Sequence, residues 1–179
     1  MQDKDINQLI ERQRERHSLT REFYSDPDIY ERDIERIFLR SWLYAGHQSE
    51  IPEPGDWIEY THVGKSVLIV QTLDGVKAFH NACRHRGVPI AGGKGNEHGN
   101  CAKTGFICPF HGWRWNTEGE NTFVYGSHMF SESQLDKDDL RLRECRSEVS
   151  IGCVWINHDD DAPSFRDSIG PLVDNLEAH

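Results

Sequence analysis

No stretch of this chain approaches the ~20 consecutive apolar residues of a membrane-spanning helix. Its opening, Met-Gln-Asp-Lys-Asp, lacks the basic-then-apolar pattern of a secretory signal. Both absences exclude a membrane role and favour the cytoplasm. An excess of positive charge is missing as well. The net charge is -10, which argues against a nucleic-acid partner, because phosphate binding needs a basic face. The arginines that do gather, Arg12, Arg14, Arg16 and Arg21, alternate with Glu11, Glu15 and Glu22 and read as a solvated helix face, with an intersubunit contact as the lesser reading. Nor is there a paired-cysteine framework: five cysteines are an odd set, as expected of reduced thiols. With 179 residues, 36% of them hydrophobic, and a mean hydropathy of -0.70, the chain can bury one modest core.

What is present is concentrated in two short runs, Cys83-Arg84-His85 and Cys108-Pro109-Phe110-His111, with residues 86–107 between them. Each offers one thiol and one imidazole. A structural zinc site is the competing reading, but zinc fingers usually pair Cys with Cys and His with His. Here each half is mixed. A glycine follows each imidazole closely, in His85-Arg86-Gly87 and His111-Gly112-Trp113, where the backbone must fold tightly over whatever the loops hold.

Together the two runs resemble the Rieske [2Fe-2S] signature. The resemblance implies Cys83 and Cys108 on one iron and His85 and His111 on the other, an arrangement that raises the reduction potential above that of an all-cysteine cluster. Rieske proteins of respiratory complexes add a disulfide between the loops and a serine after the second glycine. Val88, Phe110 and Trp113 stand at those places. With fewer hydrogen bonds onto the cluster sulfurs, a potential in the lower part of the Rieske range is expected. Imidazole ligation further implies a potential that falls as pH rises. Arg84, Arg86 and Trp113 are candidates for the surrounding shell, Arg86 and Trp113 as loop packing and Arg84 as a partner contact, with ordinary surface arginines as the equal alternative for Arg84 and Arg86.

A longer succession is similar to the start of a ring-hydroxylating oxygenase large subunit: Phe38-Leu-Arg-Ser-Trp42, Ala45-Gly46-His47, Ile51-Pro-Glu-Pro-Gly-Asp-Trp57 and Asn81-Ala-Cys-Arg-His-Arg-Gly87. A stand-alone Rieske ferredoxin, the main rival, typically lacks such an N-terminal lead. The resemblance implies a reductase or ferredoxin as electron donor, a catalytic domain or neighbouring oxygenase subunit as acceptor, and a homo-oligomeric assembly. The family's second iron sits on two closely spaced His and a carboxylate. Downstream of His111 only His128, His158 and His179 remain, too widely spaced to supply that pair. The chain therefore reads as the N-terminal, electron-transfer part of a larger enzyme, without an oxygen-activating site among its own residues.

The expected fold is mainly β, with Rieske-type antiparallel sheets and a two-loop cluster-binding subdomain, preceded by N-terminal helices. Residues 1–45 form the helical lead, 46–158 the Rieske domain and 159–179 a linker toward a catalytic domain. Asp26-Pro27 predicts a capped helix from about 27 to 42, and Ile6, Leu9 and Ile10 a weaker one before it. Strands are expected at 57–60, 66–71, 76–80, 106–110, 122–125, 140–143 and 149–157, with a hairpin at Asp74-Gly75 and a turn at 116–119. Gly170-Pro171 should break or kink the C-terminal helical segment, whose apolar residues are expected to be exposed where the chain ends at His179. The glycine-rich loop 92–101 should be flexible; its Gly-x-Gly spacing lacks the companions of a phosphate cradle. Cys101 is expected to be an exposed thiol and Cys153 a core one. His47 and His80 read as imidazoles at the core margin and His98 as a surface histidine. His17, His62, His128, His158 and His179 suggest nothing specific.

Overall fold

The computed structural model describes residues 3–93, 95 and 97–177. Lys94 and Asn96 of the glycine-rich loop, His179, and the side chain of Arg12 lie outside the described part. The chain divides into two compact units, Met1–Ser41 and Trp42–His179.

The first unit is helical. Helix α1 (Asp3–Arg14) half-buries Ile6, Leu9 and Ile10 and exposes Arg14. After α2 (Glu22–Ser25), the Asp26 carboxylate accepts from the Asp28 and Ile29 amides and starts α3 (Pro27–Asp33), with proline at the first helical position. The predicted single helix is interrupted. Residues Ile34–Phe38 widen into a π-helical turn, and Tyr30 and Ile37 face solvent instead of forming one buried stripe.

The second unit holds three antiparallel sheets. Strands β1 (Leu43–His47), β2 (Asp56–His62), β3 (Lys65–Thr72) and β4 (Gly75–His80) come first, then β5 (His98–Asn100), β6 (Phe106–Ile107), β7 (Arg114–Trp115) and β8 (Asn121–Phe123). A short helix α4 (Lys137–Leu140), strands β9 (Arg146–Ser150) and β10 (Cys153–Asn157), and helix α5 (Phe165–Glu177) complete it. The sheet orders are β1-β10-β9, β4-β3-β2-β5 and β6-β7-β8. The apolar run Val67-Leu-Ile-Val70 is fully buried because β3 has a hydrophobic cluster on each face. Val67 and Ile69 join Ala45, Ile51, Val154 and Ile156, whereas Leu68 and Val70 join Phe79, Phe106, Trp113 and Trp115. That split is the two-residue period of a strand. Each such side chain contributes roughly 1.5–3 kcal/mol.

Several expectations need correction. The β3–β4 loop is Leu73-Asp74, with Gly75 already paired to Thr72. Residues 140–143 form no strand: Leu140 ends α4, and the alternation of buried Leu140 and Leu142 with Arg141 and Arg143 comes from a segment with one buried side, whose backbone bonds to Gly119 and His80 amount to a ladder only at the Phe79–Glu144 bridge. The predicted strand 149–157 is a hairpin whose turn is Ile151-Gly152, at φ +53° and +72°. Helix α5 runs through Pro171, since Phe165 and Val173 anchor it on either side; Phe165 is buried against Trp155 and Trp42, and Leu172 is the large apolar side chain described there that stays exposed. Cys101 is buried, its amide bonded to Gly55 O, and Cys153 is only half-buried. Among the described residues no helix is long and apolar enough to cross a membrane.

Candidate metal centre

Two loops of matching backbone form the site. In loop one the Cys83 amide donates to Val88 O (2.9 Å) and the Gly87 amide to Cys83 O (2.7 Å). In loop two the Cys108 amide donates to Trp113 O (2.8 Å) and the Gly112 amide to Cys108 O (2.9 Å). Gly87 and Gly112 both sit at φ +69° with open space where a Cβ would stand, so the left-handed backbone itself calls for glycine. Within this common frame the imidazole is two residues after cysteine in one loop and three in the other.

Cys83 and Cys108 are almost fully buried. Burial pushes the Cys83 thiol up, and the neighbouring Cys108 sulfur adds to this, while the His85 and Arg86 amides directed at Cys83 work in the opposite sense. Metal binding must therefore displace a proton here. The His85 and His111 rings lie 4.8 Å apart at 59°. The Nδ1 of each is buried and has no hydrogen-bond partner in the protein. Burial, His111 and the Arg86 charge lower the His85 pKa, which keeps the ring neutral, the form that binds metal. Two adjacent buried thiols and two orphaned imidazole nitrogens fit a mixed sulfur and nitrogen cluster.

The surrounding residues divide by role. The Trp113 indole stacks on His85 (4.9 Å, 10°), and Phe130 packs edge-on against both rings. Phe110, more than half exposed, lies 4.0 Å from His111. Arg86 is exposed and does not pack into the loop. Arg84 donates from Nε to Asp139 O (2.9 Å), which links loop one to α4.

Two polar residues outside the expected donor set brace loop one. Asn81 donates from Nδ2 to Ala91 O (2.7 Å) and Ser66 Oγ (3.0 Å), and its Oδ1 accepts from Ile90 N (2.7 Å). Buried Glu59 accepts from Ser66 Oγ (2.7 Å), Gly93 N (3.1 Å) and Gly95 N (3.0 Å). Burial alone would raise the Glu59 pKa, but these donors outweigh it and hold the carboxyl below its usual value. The glycine-rich loop is thus tied to β2 at its centre. Asn81 stands at the head of the Asn81–Gly87 run; Glu59 and Phe130 carry no local signal in the sequence.

The Rieske [2Fe-2S] domain family matches residues 41–124. The chain is 36% identical to the biphenyl 2,3-dioxygenase alpha subunit of Rhodococcus jostii, over 94% of its own length and 35% of that protein. It is 31% identical to the carnitine monooxygenase oxygenase subunit of Escherichia coli, over 84% and 38%. The structure of naphthalene 1,2-dioxygenase from a Rhodococcus species superposes with a TM-score of 0.78 at 30% identity, covering 87% of this chain and 34% of that one. The chain thus spans about a third of the length of the curated relatives it matches, 32% and 35% for the first two. Loop geometry, donor set and likeness agree: the chain carries a Rieske [2Fe-2S] domain of the kind found in the large subunits of Rieske oxygenases.

Proposed function

We propose that this chain is the electron-transfer part of a multicomponent oxygenase, with Cys83 and Cys108 holding one iron of the cluster and His85 and His111 the other. The observation that carries the assignment is the pair of buried, unpartnered Nδ1 atoms beside two buried cysteines. When bound, the cluster supplies one-electron redox chemistry. The protein's part is to orient and to insulate. The backbone bonds of both loops fix the donors, and Trp113 and Phe130 hold the His85 ring and exclude water from its inner side. With Nδ1 of His85 and His111 as the atoms that would hold metal, the proton of each imidazole would sit on Nε2. Both rings remain partly exposed, so these N–H groups can face a redox partner.

A reductase or ferredoxin is the donor in this reading. The acceptor is a mononuclear iron site outside this chain, in a catalytic domain or a neighbouring oxygenase subunit of a homo-oligomer. Residues 1–45 serve as a lead, 46–158 as the redox domain and 159–179 as the way toward a catalytic domain. The unpaired cysteines support a reducing compartment such as the cytoplasm. Relatives named for biphenyl and for carnitine share this stretch, so it serves electron delivery and leaves substrate choice to other residues.

The test is the EPR spectrum of the dithionite-reduced protein together with metal analysis. A rhombic signal of low average g and about two irons per chain are expected. Zinc without a signal would overturn the reading.

A further inference from the structure

Outside the Rieske loops, three more metal-binding side chains converge within the second unit. His80 ends β4, Cys145 immediately precedes β9, and His158 immediately follows β10. One ligand atom of each lies within 4.8 Å of the others. Cys145 is almost fully buried, and its thiol donates to Asn157 O at 3.4 Å. Both ring nitrogens of His158 are buried without a hydrogen-bond partner, a condition that native interiors seldom leave uncompensated. The His80 and His158 rings are 5.7 Å apart at 37°, neither stacked nor bonded to each other. The backbone that carries them is fixed: the His80 amide donates to Arg143 O and the Cys145 amide to Ala78 O, both at 2.9 Å.

We propose that His80, Cys145 and His158 form a second metal site, which takes one zinc-type divalent cation through two imidazole nitrogens and one thiolate and leaves a fourth position for water. Imidazole and thiolate donors select a borderline-soft ion over magnesium or calcium. Zinc bonds of about 2.0–2.3 Å require the donor atoms to draw somewhat closer together, a matter of side-chain rotation about a fixed backbone. Binding exchanges the Cys145 thiol proton for the metal: the S–H bond breaks, an S–metal bond forms, and the proton leaves to solvent with the displaced metal-bound water. The imidazoles are already in their binding form. Burial, and then His80, hold His158 down to about 4, and burial with Arg143 lowers His80 as well. Burial pushes Cys145 up to about 12, so zinc uptake strengthens with rising pH. Asp160 is the carboxylate whose charge acts on both His80 and Cys145, and it balances the positive charge of the loaded site. A bound ion would cross-brace the end of β4, three residues before Cys83, to both ends of the β9–β10 hairpin.

The test uses the iron-loaded protein equilibrated with micromolar zinc and freed of excess. One zinc per chain is expected above an unchanged iron content, with the EPR signal of the reduced Rieske cluster retained. X-ray absorption at the zinc edge should show one sulfur and two imidazoles. Cys145→Ser and, separately, His158→Gln should each weaken zinc binding at least about tenfold while iron content stays constant. If Cys145→Ser fails to hold iron, His158→Gln decides. Zinc bound equally well by His158→Gln, zinc gained only as iron is lost, a zinc edge without sulfur, or no zinc at all would each overturn the proposal.

Discussion

At the scale of single residues, Glu59 shows how a buried charge can serve as a structural joint. Its carboxylate is 4% exposed yet stays ionised, because Ser66, Gly93 and Gly95 all donate to it. Glu59→Ala orphans those donors together and should destabilise the protein by about 2–4 kcal/mol, measured by denaturant unfolding. A loss under roughly half a kcal/mol would mean that the loop 92–101 is anchored some other way. Because the folded-state pKa of Glu59 is lowered, its contribution is full above the unfolded value and fades as pH falls through the folded one. Trp113 acts through contact. Trp113→Ala removes an indole that is 4% exposed and stacked on His85, and should cost about 3–5 kcal/mol. Its more telling sign is a changed g-tensor of the reduced cluster, since His85 loses the face that fixes its orientation. Cys83, His85, Cys108 and His111 could be singled out in the sequence because each Cys–His pair lies within one turn of chain. Glu59 was not, since its partners come from residues 66, 93 and 95 and no short window contains them.

At the scale of elements, the β9–β10 hairpin is the clearest departure from what the sequence suggests. Its turn places Ile151, a β-branched residue, at φ +53°, where L side chains are strained. Gly152 fits the second position of an Asn-Gly or Asp-Gly turn, but isoleucine at the first does not, so the run from Val149 to Asn157 reads as one strand. Ile151 is about half exposed, and little packing is lost on replacing it. Ile151→Asn should therefore stabilise the protein by roughly 0.5–1 kcal/mol, seen as a raised Tm; a lowered Tm would show that the isoleucine packing outweighs the strain. Leu140–Arg143 carries the complementary lesson. Alternation of buried and exposed residues reports one buried side and says nothing about whether isolated backbone bonds, such as those to Gly119 and His80, extend into a ladder. The strands from 56 to 80 were legible because tight hairpins pair them with their sequence neighbours.

At the scale of the whole molecule, stability should depend on pH through His158. Its pKa falls from 6.5 to about 4 on folding, so the unfolded chain binds the additional proton between those values. Stability is full above pH 6.5 and declines as pH drops toward 4, by roughly 1–2 kcal/mol once solvent screening is allowed for. Unfolding midpoints recorded across that range with a chelator present should show the decline, and His158→Gln should flatten it. The same slope in the variant would assign the effect to other groups. The family was legible in the sequence from the loops outward; the pairing of His80 with His158 was not, because it joins two strand ends that only the closed sheets bring near.

Strand β3 separates two hydrophobic clusters and belongs to both, Val67 and Ile69 on one face and Leu68 and Val70 on the other. A wall shared by two rooms cannot be removed from one of them alone. The region around Cys83 and Cys108 and the region around Val154 and Ile156 should therefore melt in a single cooperative event. Bleaching of the cluster's visible absorbance and the change in tryptophan fluorescence would then trace one superimposable curve. Two separated curves would mean that β3 retains one partner after losing the other.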